Sequence, residues 1–182
     1  MLRIFPSQIN DLIELLSHID GDNLTLVEVG CYMGESMEIF AKSSRFKKIY
    51  CVDPWLDTDT TTNNVSESEK HFDGKKINYN FVEKIKLSSE DASLLFEENS
   101  IDVVYIDAEH TPKALYNDIT LWLPKIKKEG YISGHDWEFQ NGVLQKTIID
   151  TIGIPDHICT HVIRGGDSDG SWVKNKKNIN LT

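Results

Sequence analysis

The strongest constraint on the fold is a strand, a glycine turn, a helix and a second strand that follow one another between Leu24 and Asp53. Residues 24–29 are apolar and β-branched, which is typical of a parallel strand buried on both faces. Gly30 and Gly34 bracket a tight turn, and an amphipathic helix begins directly after it. The pattern predicts a parallel α/β unit that holds a ligand at the carboxyl ends of its strands.

Three features of this unit indicate a nucleotide-like ligand. Glycines let the backbone approach a ligand closely, and the free N–H groups at a helix start favour a carboxylate or phosphate. An acid at the end of the second strand, here Asp53, can accept both hydroxyls of a ribose. The dinucleotide fingerprint G-x-G-x-x-G is incomplete, because the chain reads Glu28-x-Gly30-x-Tyr32-x-Gly34. Taken alone, the turn is equally compatible with an ordinary strand-to-helix connection.

Length and composition narrow the class of protein. The 182 residues are expected to form one domain, residues 1–182, with a sizeable core. A formal net charge of −10 argues against a nucleic-acid surface, and no apolar stretch of ~18 residues suggests a membrane span. The three cysteines have no C-x-x-C spacing, so no disulfide framework is expected and the cytoplasm is the default compartment. No zinc-ligand spacing and no internal repeat appear.

Several segments flank this unit. Residues 1–20 are predicted to contain an amphipathic helix that packs on the sheet or covers the ligand cleft. Residues 54–76 are poor in apolar side chains and are predicted to form a lid or binding loop, helical in its second half; a disordered surface insertion is the alternative. Two strands, at 157–163 and 171–173, predict a closing antiparallel hairpin. The polar tail, residues 174–182, is expected to fray.

The second half of the chain continues the alternation of strands and helices. A strand is predicted from Ile101 to Asp107, followed by a helix that Thr111 caps. A turn over Lys125–Gly130 is then expected to lead into a short strand at Tyr131–Ser133. Polar residues follow both of these strands, which places them at the same edge of a parallel sheet.

The segment from Leu24 to Trp137 resembles the class I S-adenosylmethionine (SAM) methyltransferases, and within them a group of small O-methyltransferases. The likeness rests on ExGxYxGxS over Glu28–Ser36, on YIDAxH over Tyr105–His110 and on GHD[YW] over Gly134–Trp137. Tyr32 departs from the usual E/D-x-G-x-G-x-G motif, in which the middle residue is glycine. The resemblance implies a Rossmann-like, doubly wound α/β fold with seven mostly parallel strands and a C-terminal antiparallel hairpin.

The resemblance also implies SAM as the cofactor. Asp53 is expected to bind the ribose, while Ser89 and Glu90 either lie beside the adenine or ribose or only cap a helix. Asp107 is expected to hold the amino group of SAM, directly or through water. The cofactor-binding residues expected in this way are Glu28, Gly30, Tyr32, Gly34, Ser36, Asp53, Ser89, Glu90 and Asp107.

Methyl transfer to a hydroxyl requires that a proton leave near the transition state. His110 is predicted to be the general base, with Asp107 as the second catalytic residue, because an ordinary histidine pKa of ~6.5 suits proton transfer near neutral pH. The alternative is that His110 only bonds nearby backbone at a helix start. Asp107, His135 and Asp136 follow adjacent strand ends and are predicted to bind Mg²⁺ or another divalent cation. Otherwise, His135 and Asp136 only cap their strand.

The predicted function is SAM-dependent methyl transfer to a hydroxyl of a small molecule or sugar. No nucleic acid and no membrane is expected as a partner, and a homodimer is compatible with the sequence. Two alternatives stay open: a SAM-binding protein without transferase activity, and an NAD-dependent oxidoreductase that shares the ribose acid. The sequence does not specify the acceptor.

Overall fold

The structure, a computed structural model, describes residues 6–56, 65–160 and 170–180. Part of the predicted lid, residues 57–64, lies outside the described residues. So does the end of the predicted strand at 157–163, together with both chain termini. The second half of the lid segment is helical, as the sequence predicted.

Strands and helices alternate along the described parts of the chain. In order, they are α1 (Pro6–Ser17), β1 (Leu24–Val29), α2 (Glu35–Lys42), β2 (Phe46–Val52), α3 (Val65–Lys76), β3 (Val82–Ile85), α4 (Ser89–Ser93), β4 (Ile101–Ile106), α5 (Pro112–Trp122), β5 (Ile126–Gly134), α6 (Phe139–Gly142), α7 (Gln145–Ile152), β6 (His157–Cys159) and β7 (Ser171–Asn175). Among these residues, no helix has both the length and the apolar character needed to cross a bilayer.

All seven strands join one sheet in the order β3-β2-β1-β4-β5-β7-β6. The strands β1 to β5 are parallel, and β7 runs antiparallel to both β5 and β6. The predicted fold class, a mostly parallel seven-stranded sheet with closing antiparallel strands, is therefore confirmed. The strand order reverses between β1 and β4, and such a switch point opens a crevice at the carboxyl ends of the strands.

The sheet is covered on both faces, and successive strand residues alternate between two apolar cores. Leu26 and Val103 belong to one core, whereas their neighbours Val27 and Val104 belong to the other. The first core contains side chains of α1, α2 and α3, and the second contains side chains of α5 and α7. Examples of these buried helix residues are Leu12, Phe40 and Phe72 in the first core and Ile119, Trp122 and Ile148 in the second.

The C-terminal tail differs from the prediction that residues 174–182 fray. Residues 174 and 175 belong to β7, which lies between two other strands, and residues 176–178 continue as a 3₁₀ turn. Lys174 is buried, and its Nζ donates a hydrogen bond to the carbonyl oxygen of Ile154 at 2.6 Å. Ile179 packs into the core. The polar composition of the tail did not predict this order, because composition does not indicate where a strand is inserted in a sheet.

The fifth strand is longer than the sequence predicted and begins at Ile126 rather than Tyr131. Ile126 pairs with Ile101, and regular pairing resumes where Tyr131 meets Val103. The turn predicted over Lys125–Gly130 is therefore mostly a bulge inside the strand, since β5 pairs with β4 on both sides of it.

Candidate functional site

A cavity of ≈ 1290 Å³ opens at the carboxyl edge of the sheet, where the strand order reverses. This volume is ample for a nucleotide-sized ligand with a second molecule beside it. The lining includes predicted site residues from five separate parts of the chain, one after each of the parallel strands: Gly30, Tyr32, Ser36, Asp53, Ser89, Glu90, Asp107, His110, His135 and Asp136.

Gly30 lets the ends of β1 and β4 approach each other at the base of the cavity. Its φ is +88°, and a Cβ at this position would lie 2.1 Å from the carbonyl oxygen of Asp107. The amide of Asp107 donates a hydrogen bond to the carbonyl oxygen of Val29 at 2.8 Å. Any side chain at position 30 would therefore separate the two strand ends that shape the cavity.

Asp53 organises the glycine turn. Its Oδ2 accepts hydrogen bonds from the backbone amides of Cys31 at 3.0 Å and Tyr32 at 2.9 Å, while Oδ1 accepts one from the amide of Trp55 at 2.7 Å. A carboxylate has about four acceptor positions, so these bonds leave about one for a ribose hydroxyl rather than the two expected from the sequence.

Tyr32 occupies the place where the methyltransferase motif usually has glycine. Its φ of +43° lies in the left-handed region, which explains why glycine suits this position. The conformation is held from both sides: Asp53 accepts a hydrogen bond from the Tyr32 amide, and the indole N–H of Trp55 donates to the Tyr32 carbonyl at 2.9 Å. The Tyr32 side chain borders the cavity.

Two predicted cofactor residues, Glu28 and Gly34, lie behind the cavity wall. Glu28 is fully buried, and its Oε1 accepts a short hydrogen bond from the hydroxyl of Ser36. Burial raises the pKa of Glu28 to about 8, although the bond from Ser36 opposes the shift. Gly34 is the N-cap residue of α2, and a Cβ added there would meet the ring of Phe72 at 2.9 Å. Both residues therefore support the glycine turn from inside the protein and do not line the cavity.

Replacement of Glu28 by Gln is expected to remove a pH-dependent loss of stability. An acid whose folded pKa is about 8 and whose ordinary pKa is 4.5 contributes stability that is fully present below pH 4.5 and is lost as the pH rises through 8. Because each pKa unit corresponds to about 1.4 kcal/mol, the wild type should lose a few kcal/mol relative to Glu28→Gln between these values.

Urea unfolding of both proteins at pH 5, 6.5 and 8 measures this difference. Glu83→Gln, at a half-exposed carboxylate paired with Lys48, is the matched control and should follow the wild type. Parallel stability curves for the wild type and Glu28→Gln would contradict the assignment of a buried, protonated carboxyl.

The start of α4 forms another wall of the cavity. Ser88 caps the helix, and its hydroxyl accepts a hydrogen bond from the amide of Asp91 at 3.1 Å. The Ser89 hydroxyl donates to buried Asp118 and accepts from the indole N–H of Trp122 at 2.9 Å. Ser88 is thus the capping residue. Ser89 lines the cavity, but its hydroxyl already has two hydrogen-bond partners.

A charged cluster lies at the ends of β4 and β5. The Nε2 atom of His110 is 2.9 Å from Oδ2 of Asp136 and 3.7 Å from Oδ1 of Asp107. The carboxylates of Asp107 and Asp136 raise the pKa of His110 to about 10. Burial disfavours the charge on Asp136, yet hydrogen bonds with His110 and His135 hold its pKa below the ordinary value. The unliganded site therefore holds an imidazolium between two carboxylates.

A group of side chains that could hold a cation shares two carboxylates with the predicted set, Asp107, His135 and Asp136. Ligand atoms of Asp107, His110 and Asp136 all lie within 4.8 Å of one another, so His110 takes the place expected for His135. His135 is buried, with Nδ1 at 3.0 Å from Oδ1 of Asp136 and at 4.0 Å from Oδ1 of Asp107. It supports Asp136 from inside the protein, whereas His110 reaches the cluster from the loop after β4.

Several residues of the cavity were not predicted from the sequence. Phe139 lies beside His110, with the ring centroids 5.1 Å apart and the planes tilted by 51°. Gln8 and Leu12 of α1 also line the cavity, and Leu12 belongs to a core as well, so the first helix meets both alternatives, packing on the sheet and covering the cleft. Phe139 could have been predicted from its position, because it is an aromatic residue that closely follows the GHD[YW] turn.

The fold and the cavity match those expected for the class I SAM-dependent methyltransferases. Residues 27–137 match the family described as a methyltransferase domain, and the chain belongs to this family. Membership implies SAM as the methyl donor, in agreement with the expected cofactor.

Known proteins share either part of the sequence or the fold. The "Uncharacterized protein R132" of Acanthamoeba polyphaga mimivirus is 25% identical over 144 residues, which cover 75% of this chain and 62% of that protein's length. Cofactor-bound Rv0187 from MTB has 14% identity and a TM-score of 0.70, with 97% of this chain and 84% of that chain covered. An rRNA methylase from Streptococcus thermophilus has 12% identity and a TM-score of 0.66, with coverages of 97% and 99%. The two structural likenesses concern the fold alone.

Proposed function

We propose that this protein transfers the methyl group of SAM to a hydroxyl oxygen of a small molecule or sugar. The observation that carries the proposal is the imidazole of His110, bonded through Nε2 to Asp136 and placed beside the end of β4. An imidazole with one nitrogen fixed on a carboxylate can accept a proton through the other nitrogen. A hydroxyl acceptor needs such a group, because it must lose its proton as the methyl group arrives.

In the proposed reaction, the hydroxyl oxygen attacks the methyl carbon, and the carbon–sulfur bond breaks with its electron pair moving to sulfur. S-Adenosylhomocysteine leaves, and the hydroxyl proton passes to His110. Asp107 would bind the amino group of SAM, and Asp53 would bind the ribose. A SAM ammonium on Asp107 would offset one of the two carboxylates that raise the pKa of His110, so cofactor binding would favour the neutral imidazole that accepts a proton.

A divalent cation is the second candidate for activating the acceptor. Asp107, His110 and Asp136 provide two carboxylates and an imidazole within 4.8 Å of one another, a donor set that fits such an ion. When bound, the ion would lower the pKa of the acceptor hydroxyl. The imidazole favours a softer ion than Mg²⁺, which prefers oxygen ligands.

The acceptor class follows partly from charge. The rRNA methylase that shares the fold acts on a polyanion, whereas this chain has a formal net charge of −10 and presents two carboxylates beside His110. Phosphate-backbone binding relies on lysine and arginine, so a small neutral acceptor is favoured over nucleic acid. We further propose that the protein acts in the cytoplasm without a membrane partner.

One experiment with several arms tests the proposal. S-Adenosylhomocysteine is titrated calorimetrically into the protein, and SAM is then incubated with a panel of sugars, phenols and alcohols in EDTA, Mg²⁺ or Mn²⁺. We expect micromolar binding and the formation of methylated product. Product formed in EDTA supports His110 as the base, and product formed only with a cation supports the metal-assisted variant.

Two outcomes would overturn the proposal. Binding without product from any hydroxyl would favour a SAM-binding protein that lacks transferase activity. Binding of NADH with no binding of S-adenosylhomocysteine would favour an oxidoreductase.

A further inference from the structure

A cluster of metal-ligating side chains lies where α1 meets β6, the edge strand of the sheet. Glu14 lies in α1, His18 directly follows this helix, Cys159 comes from β6, and the ligand atoms of all three lie within 4.8 Å of one another. None of the three lines the cavity described above. We propose that Glu14, His18 and Cys159 bind a divalent transition-metal ion, with Zn²⁺ as the best match.

The spacing of these residues explains how two elements converge on one point. His18 is the first residue after α1 and follows Glu14 by four residues, so it lies on the same side as Glu14, with 4.0 Å between Nε2 and Oε1. His157 and Cys159 are two residues apart and share one face of the strand. Because α1 packs against β6, these faces meet. Because the ligands come from two elements that are distant in sequence, no zinc-ligand spacing appears along the chain.

The donor atoms favour zinc over a hard cation. Thiolate, imidazole and carboxylate are the common protein ligands of Zn²⁺, and a soft sulfur donor selects against Mg²⁺ and Ca²⁺. Cys159 is fully buried, whereas the side chains of Glu14 and His18 are 40% and 29% exposed. The sulfur is therefore shielded, and solvent could supply a water as the fourth ligand.

Groups around the cluster support a bound cation. The ring of His157 stacks on that of His18, with centroids 3.7 Å apart and planes inclined by 14°, which orients the ligating imidazole. The Nε2 atom of His18 lies 4.0 Å from Oε1 of Glu14, so these two donor atoms already face each other.

The proposed ion would anchor a wall of the methyl-transfer cavity. The same helix carries Gln8 and Leu12, which line the cavity, and the metal would join this helix to the edge of the sheet. An ion that binds the folded state alone raises thermal stability, so the effect can be measured without any assay of methyl transfer.

Cobalt(II) titration of the metal-free protein tests the site, since a cobalt–thiolate bond gives a charge-transfer band in the near ultraviolet. We expect one equivalent of Co²⁺ to produce this band. Zn²⁺ should displace the cobalt, so that the band is lost, and should raise the unfolding temperature. Cys159→Ser should abolish the band. His18→Gln should weaken cobalt binding by at least about tenfold, the lower bound for loss of even an outer-shell partner.

His71→Gln is the matched control. His71 also follows a glutamate, Glu67, by four residues on a helix, with 3.6 Å between Nε2 and Oε1, and its side chain is 55% exposed. It should bind cobalt as the wild type does. Circular dichroism of each variant verifies folding, and His18→Gln serves as the second test if Cys159→Ser does not fold.

The proposal is wrong if the wild type shows no thiolate band. It is equally wrong if the band persists in Cys159→Ser, which would assign it to the other cysteines, or if His18→Gln binds cobalt as tightly as His71→Gln does. An ion held only by Asp107, His110 and Asp136 would produce no thiolate band, so the two clusters are distinguishable.

Discussion

The variant His110→Gln is expected to lower turnover by about 10²- to 10⁴-fold, the range that a general base contributes, with little change in S-adenosylhomocysteine affinity. The Nε2 atom of His110 is 2.9 Å from Asp136, and its side chain is 44% exposed at the cavity. Glutamine preserves much of the size and polarity but cannot accept a proton at neutral pH. Initial rates and calorimetric titration of the same preparation separate catalysis from cofactor binding.

The pH profile adds a second readout for His110. Because Asp107 and Asp136 raise its pKa to about 10, His110 is protonated at pH 7 in the unliganded protein, and only the neutral ring can accept a proton. The kcat/KM for SAM, which reports the free enzyme, should therefore rise between pH 7 and pH 9, and His110→Gln should lose this rise. If turnover is unchanged in His110→Gln, the residue is not the general base. The variant His71→Gln is the control for the loss of an exposed histidine.

The second large effect is expected for Asp53→Ala, which should weaken S-adenosylhomocysteine binding by about 100-fold or more. Its carboxylate accepts hydrogen bonds from the amides of Cys31 and Tyr32, and these donors would lose their partner along with the proposed ribose contact. The proposed ribose hydroxyl would lose a hydrogen bond to a charged group, worth about 1.5–3 kcal/mol, and displacement of the turn would add to this loss; 1.4 kcal/mol corresponds to tenfold in affinity. Calorimetric titration measures the change directly.

Asp102→Ala is the matched control for Asp53→Ala. Asp102 also accepts a backbone hydrogen bond, from the amide of Thr25 at 2.9 Å, and it pairs with Lys127 at 2.7 Å. It lies near the start of β4, away from the carboxyl edge. Both variants should lose stability in thermal unfolding, but only Asp53→Ala should lose affinity. Equal losses of affinity would show that general destabilisation, rather than the glycine turn, is responsible.

Local sequence pattern was sufficient for the framework of this protein. The mainly apolar runs of β1 and β4 predicted buried parallel strands because a strand covered on both faces needs apolar side chains at most positions. The glycine turn and Asp53 could be placed because they lie within one continuous unit, where neighbours in sequence are neighbours in space. The resemblance over residues 24–137 then supplied the closing antiparallel strands and the cofactor class.

The composition of each polar cluster was decided by the tertiary structure. His135 and His110 both follow strand ends, but His135 points inward to Asp136, and only the loop after β4 brings His110 to both carboxylates. Asp136 itself has a φ of +62°, a conformation that residue type alone does not specify. Cys159 meets α1 because β7 is inserted between β5 and β6 and so places β6 at the sheet edge. Periodicity reports which side of an element is buried, whereas contacts between distant elements depend on the order in which the strands assemble.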